Sequence, residues 1–316
     1  MCCLFGFLDY GHRLTGWQKG QIIRALALES EARGTDAAGV AYNSGGKLHI
    51  HKRPGPAHRL KCFIPEDAHV VMGHSRMTTQ GKAKYNRNNH PFQGSVPGTR
   101  FALAHNGVLY NDHILRRTRD LPKTNIETDS YVAVQLIEQQ RALTPASLST
   151  MAEAVEGSFV FTVLDDRDNL YFVKGDNPLC LLLFPYLGLY VYASTEAILR
   201  TALDRLWLKR KPYEPISLDE GEILVLTPDG EAHRDHFTLA RDCFSPWYFG
   251  RRGAHVGSAC LHRSAEQQYV QELKSVAAAF GYDGEEIDAM LADGWTTDEI
   301  EDALYGCGGE DFSCLY

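Results

Sequence analysis

The chain has 316 residues, 44% hydrophobic and 23% charged, the composition of an ordinary globular protein. It lacks the run of about eighteen apolar residues that a helical membrane span requires. The net charge of −8 is uneven: residues 265–316 hold thirteen acidic residues against one base, Lys274, a charge of −12 that leaves +4 on residues 1–264. So weak a positive balance excludes a nucleic-acid binder that works by charge.

The N-terminal run Cys2–Leu8 reads as a short buried strand that stops at Asp9. It has no basic region before it, so no secretory signal is expected. A helix over 17–32 follows, with Ile22, Ile23, Leu26 and Ala27 on one side and Gly34 as its stop. Apolar runs at 38–42, 47–52, 69–72 and 101–104 read as strands, and 130–140 as a helix with Val132, Leu136 and Ile137 inward. A second batch of strands is expected at 158–164, 170–174, 179–184, 189–193 and 223–226. Strands in two clusters with helices between them predict α+β layers and not a regular βαβ alternation. Residues 241–264 lack periodicity and read as a connector. Three short helices fit 266–280, 284–292 and 297–305, with Gly281, Gly294 and Gly306 at their ends. The eight cysteines contain no CxxC pair and the thirteen histidines show no metal-ligand spacing. Neither a metal site, a disulfide scaffold nor a cofactor is therefore expected, and the chain reads as cytoplasmic.

Five short patterns carry chemistry. Once the initiator methionine is trimmed, Cys2 offers a thiol and a free α-amine on one residue. With reference pKa values of about 8.5 and 7.7–8.0, these can serve as nucleophile and base together. The alternative is a small buried hydrophobe, and Cys3 alternates to the opposite face in either case. Arg33-Gly34-Thr35-Asp36 reads as a helix end and turn. Gly73-His74-Ser75-Arg76-Met77-Thr78-Thr79-Gln80-Gly81 is a strand end and polar loop in which Arg76 suits a carboxylate. In His105-Asn106-Gly107 the Asn-Gly pair signals a hairpin turn, or else sets a side-chain amide beside a backbone N–H, two donors for an oxyanion. Asp129, ahead of a helix, is an N-cap or the anion that receives a ligand ammonium.

Taken in order, these patterns resemble the glutaminase domain of class II glutamine amidotransferases, the N-terminal-nucleophile family. Glu156-Gly157-Ser158-Phe159, Ala193-Ser194-Thr195-Glu196-Ala197 and Leu218-Asp219-Glu220-Gly221-Glu222-Ile223 agree with it. The resemblance covers residues 2–240. It implies a four-layer αββα sandwich, with the acidic helices of 265–316 as an appendage. It also implies Cys2 as nucleophile, Asn106 and the Gly107 N–H as oxyanion hole, and Arg76 and Asp129 as holders of the α-carboxylate and α-ammonium of L-glutamine. Thr79 would line the site and Arg33 support it from behind, with no metal. Cys3 stands where the family usually has Gly, and Met77 and Gln80 where its sugar-synthase branch has Trp and His.

Only about 75 residues follow position 240, too few for a fused synthase domain. A stand-alone glutaminase that supplies ammonia to a separate synthase subunit is therefore expected, with the acidic helices either docking that partner or packing as a solvated appendage on their own domain. The alternatives are a γ-glutamyl amidase or peptidase of the same fold, and a non-catalytic binding protein that kept it.

Overall fold

A computed structural model describes residues 2–61 and 63–239, together with positions 270, 273–274, 277, 283–293, 295 and 300. The chain divides into two units, Met1–Phe244 and Ser245–Tyr316.

In the first unit, thirteen strands among the described residues form two antiparallel sheets. One runs in the order β11 (Glu214–Ile216), β9 (Cys180–Phe184), β10 (Leu189–Ala193), β1 (Cys3–Asp9), β4 (Val70–Arg76), β2 (Ala37–Ser44), β3 (Lys47–Pro54). The other runs β13 (Ala232–His236), β12 (Glu222–Leu226), β8 (Leu170–Lys174), β7 (Gly157–Asp165), β6 (Thr99–Leu109), β5 (Phe92–Val96).

Three apolar layers hold these sheets together, and side-chain alternation assigns each residue to one of them. Cys3, Phe5 and Phe7 of β1 turn outward to Ile22, Ile23 and Leu26 of α1 (Gly16–Glu29) and to Ile198 and Leu199 of α5 (Glu196–Asp204). Phe159, Phe161 and Val163 of β7 pack outward against Val132 and Leu136 of α3 (Tyr131–Gln140) and Leu148 and Met151 of α4 (Pro145–Ala154). The short helix α2 (Asp112–Thr118) adds Leu115 to that outer layer. Between the sheets lie Leu4, Leu8, Met72, Ala102, Ala104, Val160, Phe172, Tyr192 and Leu224. The result is the expected αββα sandwich.

Local sequence sets the helix starts. Thr15 and Gln18 form a capping box at α1, and Thr144 and Ser147 do so at α4, where Pro145 occupies the first turn. Thr195 caps α5 by accepting from the Ile198 N–H. The helix expected over 17–32 is α1 plus a 3-10 turn at Ser30–Ala32.

In the second unit, α6 (Gly284–Ala292) matches the middle of the three expected helices, capped by Asp283 with Glu286 returning the bond. Ile287 and Ile300 are buried there, as are Leu273 and Ala277. The connector 241–264 and most of the outer two expected helices, with Gly281, Gly294 and Gly306, lie outside the described residues. No helix among the described residues is long and apolar enough to cross a membrane.

Phe172 is fully buried between the sheets, edge-on to Tyr192 with ring centroids 4.9 Å apart. Phe172→Ala is expected to cost about 3–5 kcal/mol, read as a lowered urea midpoint. An unchanged midpoint would mean that this layer does not carry the stability.

Candidate active site

The site forms where β1, β4 and β6 end together, and the alternation that builds the core aims its residues. Even-numbered positions of β4 and β6 share the inter-sheet face with Met72, Ala102 and Ala104, which sends His74, Arg76 and Asn106 the same way. Cys2 has the opposite parity to Cys3 and so faces this layer too, with Cys3 buried on the helix side.

Cys2 is held on several sides. Its carbonyl accepts from Arg33 Nε at 3.0 Å, and its Sγ lies 3.5 Å from the Met77 carbonyl oxygen. Two residues on, Leu4 donates its N–H to Ser194 Oγ at 2.8 Å, and its carbonyl accepts from the Ser194 N–H at 2.9 Å. Burial pushes the Cys2 thiol above its ordinary pKa. The Arg76 charge pulls it back down, while Asp129 pushes it up.

Arg76 is almost wholly buried. Its Nη1 donates to Asn89 Oδ1 at 2.7 Å, and its Nη2 donates to the Gln80 and Gly81 carbonyls at 2.5 and 3.2 Å. Burial disfavours its charge, and the nearby Cys2 and Asp129 favour it. Thr79 is exposed on the loop that follows, whereas Thr78 donates its N–H to Asp36 Oδ2 at 2.8 Å.

Asn106 and Gly107 lie inside β6, paired with Val160 and Phe159 of β7, so the hairpin-turn reading does not apply. The reason is register: β6 runs on to Leu109 against β7, and the Asn-Gly pair falls within the ladder. Gly107 has φ +138°, and a Cβ there would stand 1.9 Å from the Ser158 carbonyl oxygen. The Asn106 carbonyl accepts from Asn177 Nδ2 at 3.0 Å. The Asn106 side-chain amide is fully buried, and neither its nitrogen nor its oxygen has a hydrogen-bond partner among the described residues.

Asp129 does not cap α3. The cap position is Ser130, and the Asp129 carboxylate turns to β6, accepting from the Leu109 N–H at 2.7 Å and from the Ser130 hydroxyl at 3.3 Å. Burial raises its pKa against these bonds.

The structure thus brings Cys2, Arg76 and Asp129 into electrostatic contact and sets Asn106 and Gly107 on the strand that anchors Asp129. Among the described residues no cluster of three metal-ligating side chains occurs.

Sequence reasoning assigned no role to the residues beneath these. His74 Nε2 donates to the His105 carbonyl at 2.9 Å, joining the two sheets under the site. His74 stacks on His90 with centroids 4.2 Å apart, and His105 Nδ1 lies 2.8 Å from Ser130 Oγ. Burial depresses the pKa of His74 and of His105 to about 3 and holds His90 well below its usual value. These rings are neutral at neutral pH. Below pH about 6.5 the unfolded chain takes up protons that the folded protein refuses. Stability is therefore expected to fall from about pH 6.5 toward 3, by up to about 1.4 kcal/mol per pH unit for each ring. Urea midpoints measured on either side of pH 6.5 check this, and midpoints that hold steady on acidification contradict it.

Residues 74–200 match the family model described as a glutamine amidotransferase domain. The chain is 28% identical over 237 residues to glutamine–fructose-6-phosphate aminotransferase (isomerizing) of Listeria innocua, covering 73% of this chain and 36% of that protein. The Staphylococcus aureus protein of the same name is 29% identical over 252 residues, covering 77% and 40%. The chain thus spans well under half the length of these curated relatives. Among solved structures, the glutamine phosphoribosylpyrophosphate amidotransferase of B. subtilis superposes with a TM-score of 0.60 at 21% identity, over 75% of this chain and 50% of that one. Residues 74–200 thus match a glutamine amidotransferase domain, the chain is similar to class II glutamine amidotransferases, and its sandwich of two sheets is the fold of the solved phosphoribosylpyrophosphate amidotransferase.

Proposed function

We propose that this domain hydrolyses the γ-amide of L-glutamine through a γ-glutamyl thioester on Cys2 and passes the ammonia to an acceptor enzyme on another chain. The observation that carries the reading is the buried, unpartnered side-chain amide of Asn106, next to a glycine whose N–H shares the strand. A buried donor left without a partner costs about 1–3 kcal/mol, and a transition state that accepts from it recovers that cost.

In this reading Met1 is removed and the Cys2 amine takes the thiol proton. The thiolate attacks the γ-carbonyl carbon, and the oxyanion receives Asn106 Nδ2–H and the Gly107 N–H. Collapse of the tetrahedral intermediate returns the proton to the departing nitrogen and frees ammonia. Water then attacks the thioester, releasing glutamate and restoring the thiol. Glutamine is a zwitterion, and the buried pair of Arg76 and Asp129 matches it: guanidinium for the α-carboxylate, carboxylate for the α-ammonium. Arg33 acts from behind by fixing the Cys2 carbonyl. Thr79, on the exposed loop, is assigned to the rim. The acidity of residues 265–316 supports a basic acceptor docked there. Stimulation of hydrolysis by such an acceptor should weaken as salt rises.

Glutamate release from L-glutamine tests the reading. Cys2→Ala is expected to abolish it in protein whose N-terminus is confirmed as residue 2. Asn106→Ala is expected to lower kcat about 10²–10³-fold with little change in KM. Full activity in Cys2→Ala would remove the thioester. Inert wild-type protein that cleaves γ-glutamyl peptides would move the substrate to that class.

A further inference from the structure

The inward face of β3 carries Leu48 and Ile50 in the inter-sheet layer and then, two residues on, Lys52. An ammonium at that position is out of keeping with its neighbours. Its Nζ donates to the Asn89 carbonyl at 2.6 Å and to the Pro91 carbonyl at 3.0 Å, and it lies 5.1 Å above the centre of the Phe92 ring. No carboxylate pairs with it among the described residues. Burial, with the Arg76 charge adding to it, lowers its pKa to about 8. A charge kept there at such a cost is held for what it grips.

What it grips is the segment that orients Arg76. Asn89 accepts from Arg76 Nη1 through its Oδ1, and its own Nδ2 donates to the Ala83 carbonyl at 2.7 Å. The backbone of this segment lies directly on β2. A Cβ at Gly39, the residue paired with Lys52, would stand 2.2 Å from the His90 carbonyl oxygen and 2.9 Å from Pro91 Cδ. The missing side chain of Gly39 lets the segment come down, and Lys52 clamps it from the neighbouring strand.

We infer that Lys52 is a positioning residue for glutamine recognition: through the Asn89 backbone it sets the guanidinium of Arg76 in the orientation that receives the substrate α-carboxylate. The inference rests on the assignment of Arg76 made above, and it concerns binding rather than chemistry, since Lys52 touches neither Cys2 nor Asn106.

The test compares L-glutamine with its α-methyl ester, which keeps the γ-amide and lacks the α-carboxylate charge. Lys52→Met is expected to raise KM for glutamine about tenfold, the loss of one charge-assisted hydrogen bond, while kcat stays within about twofold. KM for the ester should not move. Asn89→Ala should give the same pattern, and the double variant should be no worse than the poorer single one, because both act through one path. Should Lys52→Met fail to fold, Lys52→Gln, which keeps a donor on a shorter stem, carries the same comparison. Equal losses on both substrates, additive effects with Asn89→Ala, or an unchanged KM would overturn the role of Lys52. Arg76→Gln separates the two claims. If it too leaves the preference for glutamine over the ester intact, the Arg76 assignment falls; if it abolishes that preference while Lys52→Met does nothing, only the Lys52 inference falls.

Discussion

Everything at this site depends on holding still a part of the chain that ordinarily frays. A nucleophile and a base on one terminal residue are useful only if that residue is fixed to within a fraction of an ångström, and chain ends are normally the least ordered part of a domain. The protein meets this by placing β1 at the centre of its seven-stranded sheet, between β10 and β4, so that both edges of the strand are paired. The last rungs are side-chain bonds: Arg33 on the Cys2 carbonyl and Ser194 on Leu4. Arg33 is fully buried to make its contact, and it comes from the turn after α1, so the outer helix layer takes part in ordering the thiol.

The rest of the site is divided between the sheets. Cys2 and Arg76 belong to the sheet of β1 and β4, while Asn106, Gly107 and the anchor of Asp129 belong to β6. Opposite charges thus arrive from opposite layers at buried positions, where each interaction is stronger than at a surface. The histidines beneath suit that setting. His74, His90 and His105 fill volume without adding charge, because burial keeps them neutral, and His74 and His105 also supply directed bonds. With its Nε2 committed to the His105 carbonyl, neutral His74 has its tautomer set by the fold.

Much of this was legible in the sequence. The alternation in β1, β4 and the second batch of strands gave the layers, and the order of the short polar patterns gave the family before any geometry. Asn106-Gly107 was ambiguous because turn chemistry and oxyanion chemistry use the same two residues, and only the pairing with β7 decides between them. Asp129 reads as a cap from its place before a helix, yet its carboxylate is claimed by the Leu109 N–H across the chain, a long-range bond that no local pattern reports. Helices α4 and α5 were passed over although Thr144-Pro145 and Thr195-Glu196 are good start signals, since their apolar faces are short. Lys52 left one trace, a charge at the inward parity of a strand whose preceding inward residues are Leu48 and Ile50.

The bond from His74 to the His105 carbonyl has a mechanical consequence. Because the nucleophile rides on one sheet and the oxyanion donors on the other, the relative sliding of the two sheets is a coordinate that opens or assembles the catalytic geometry without unfolding either of them. That coordinate is pinned at the catalytic end by His74 and at the far end by Asn43, whose Nδ2 donates to the Asp165 carbonyl at 2.7 Å. Away from these pins, apolar contacts between the sheets add to the resistance. The packing of Leu4, Met72, Val160 and Phe172 therefore sets the stiffness of the active site as much as the stability of the fold.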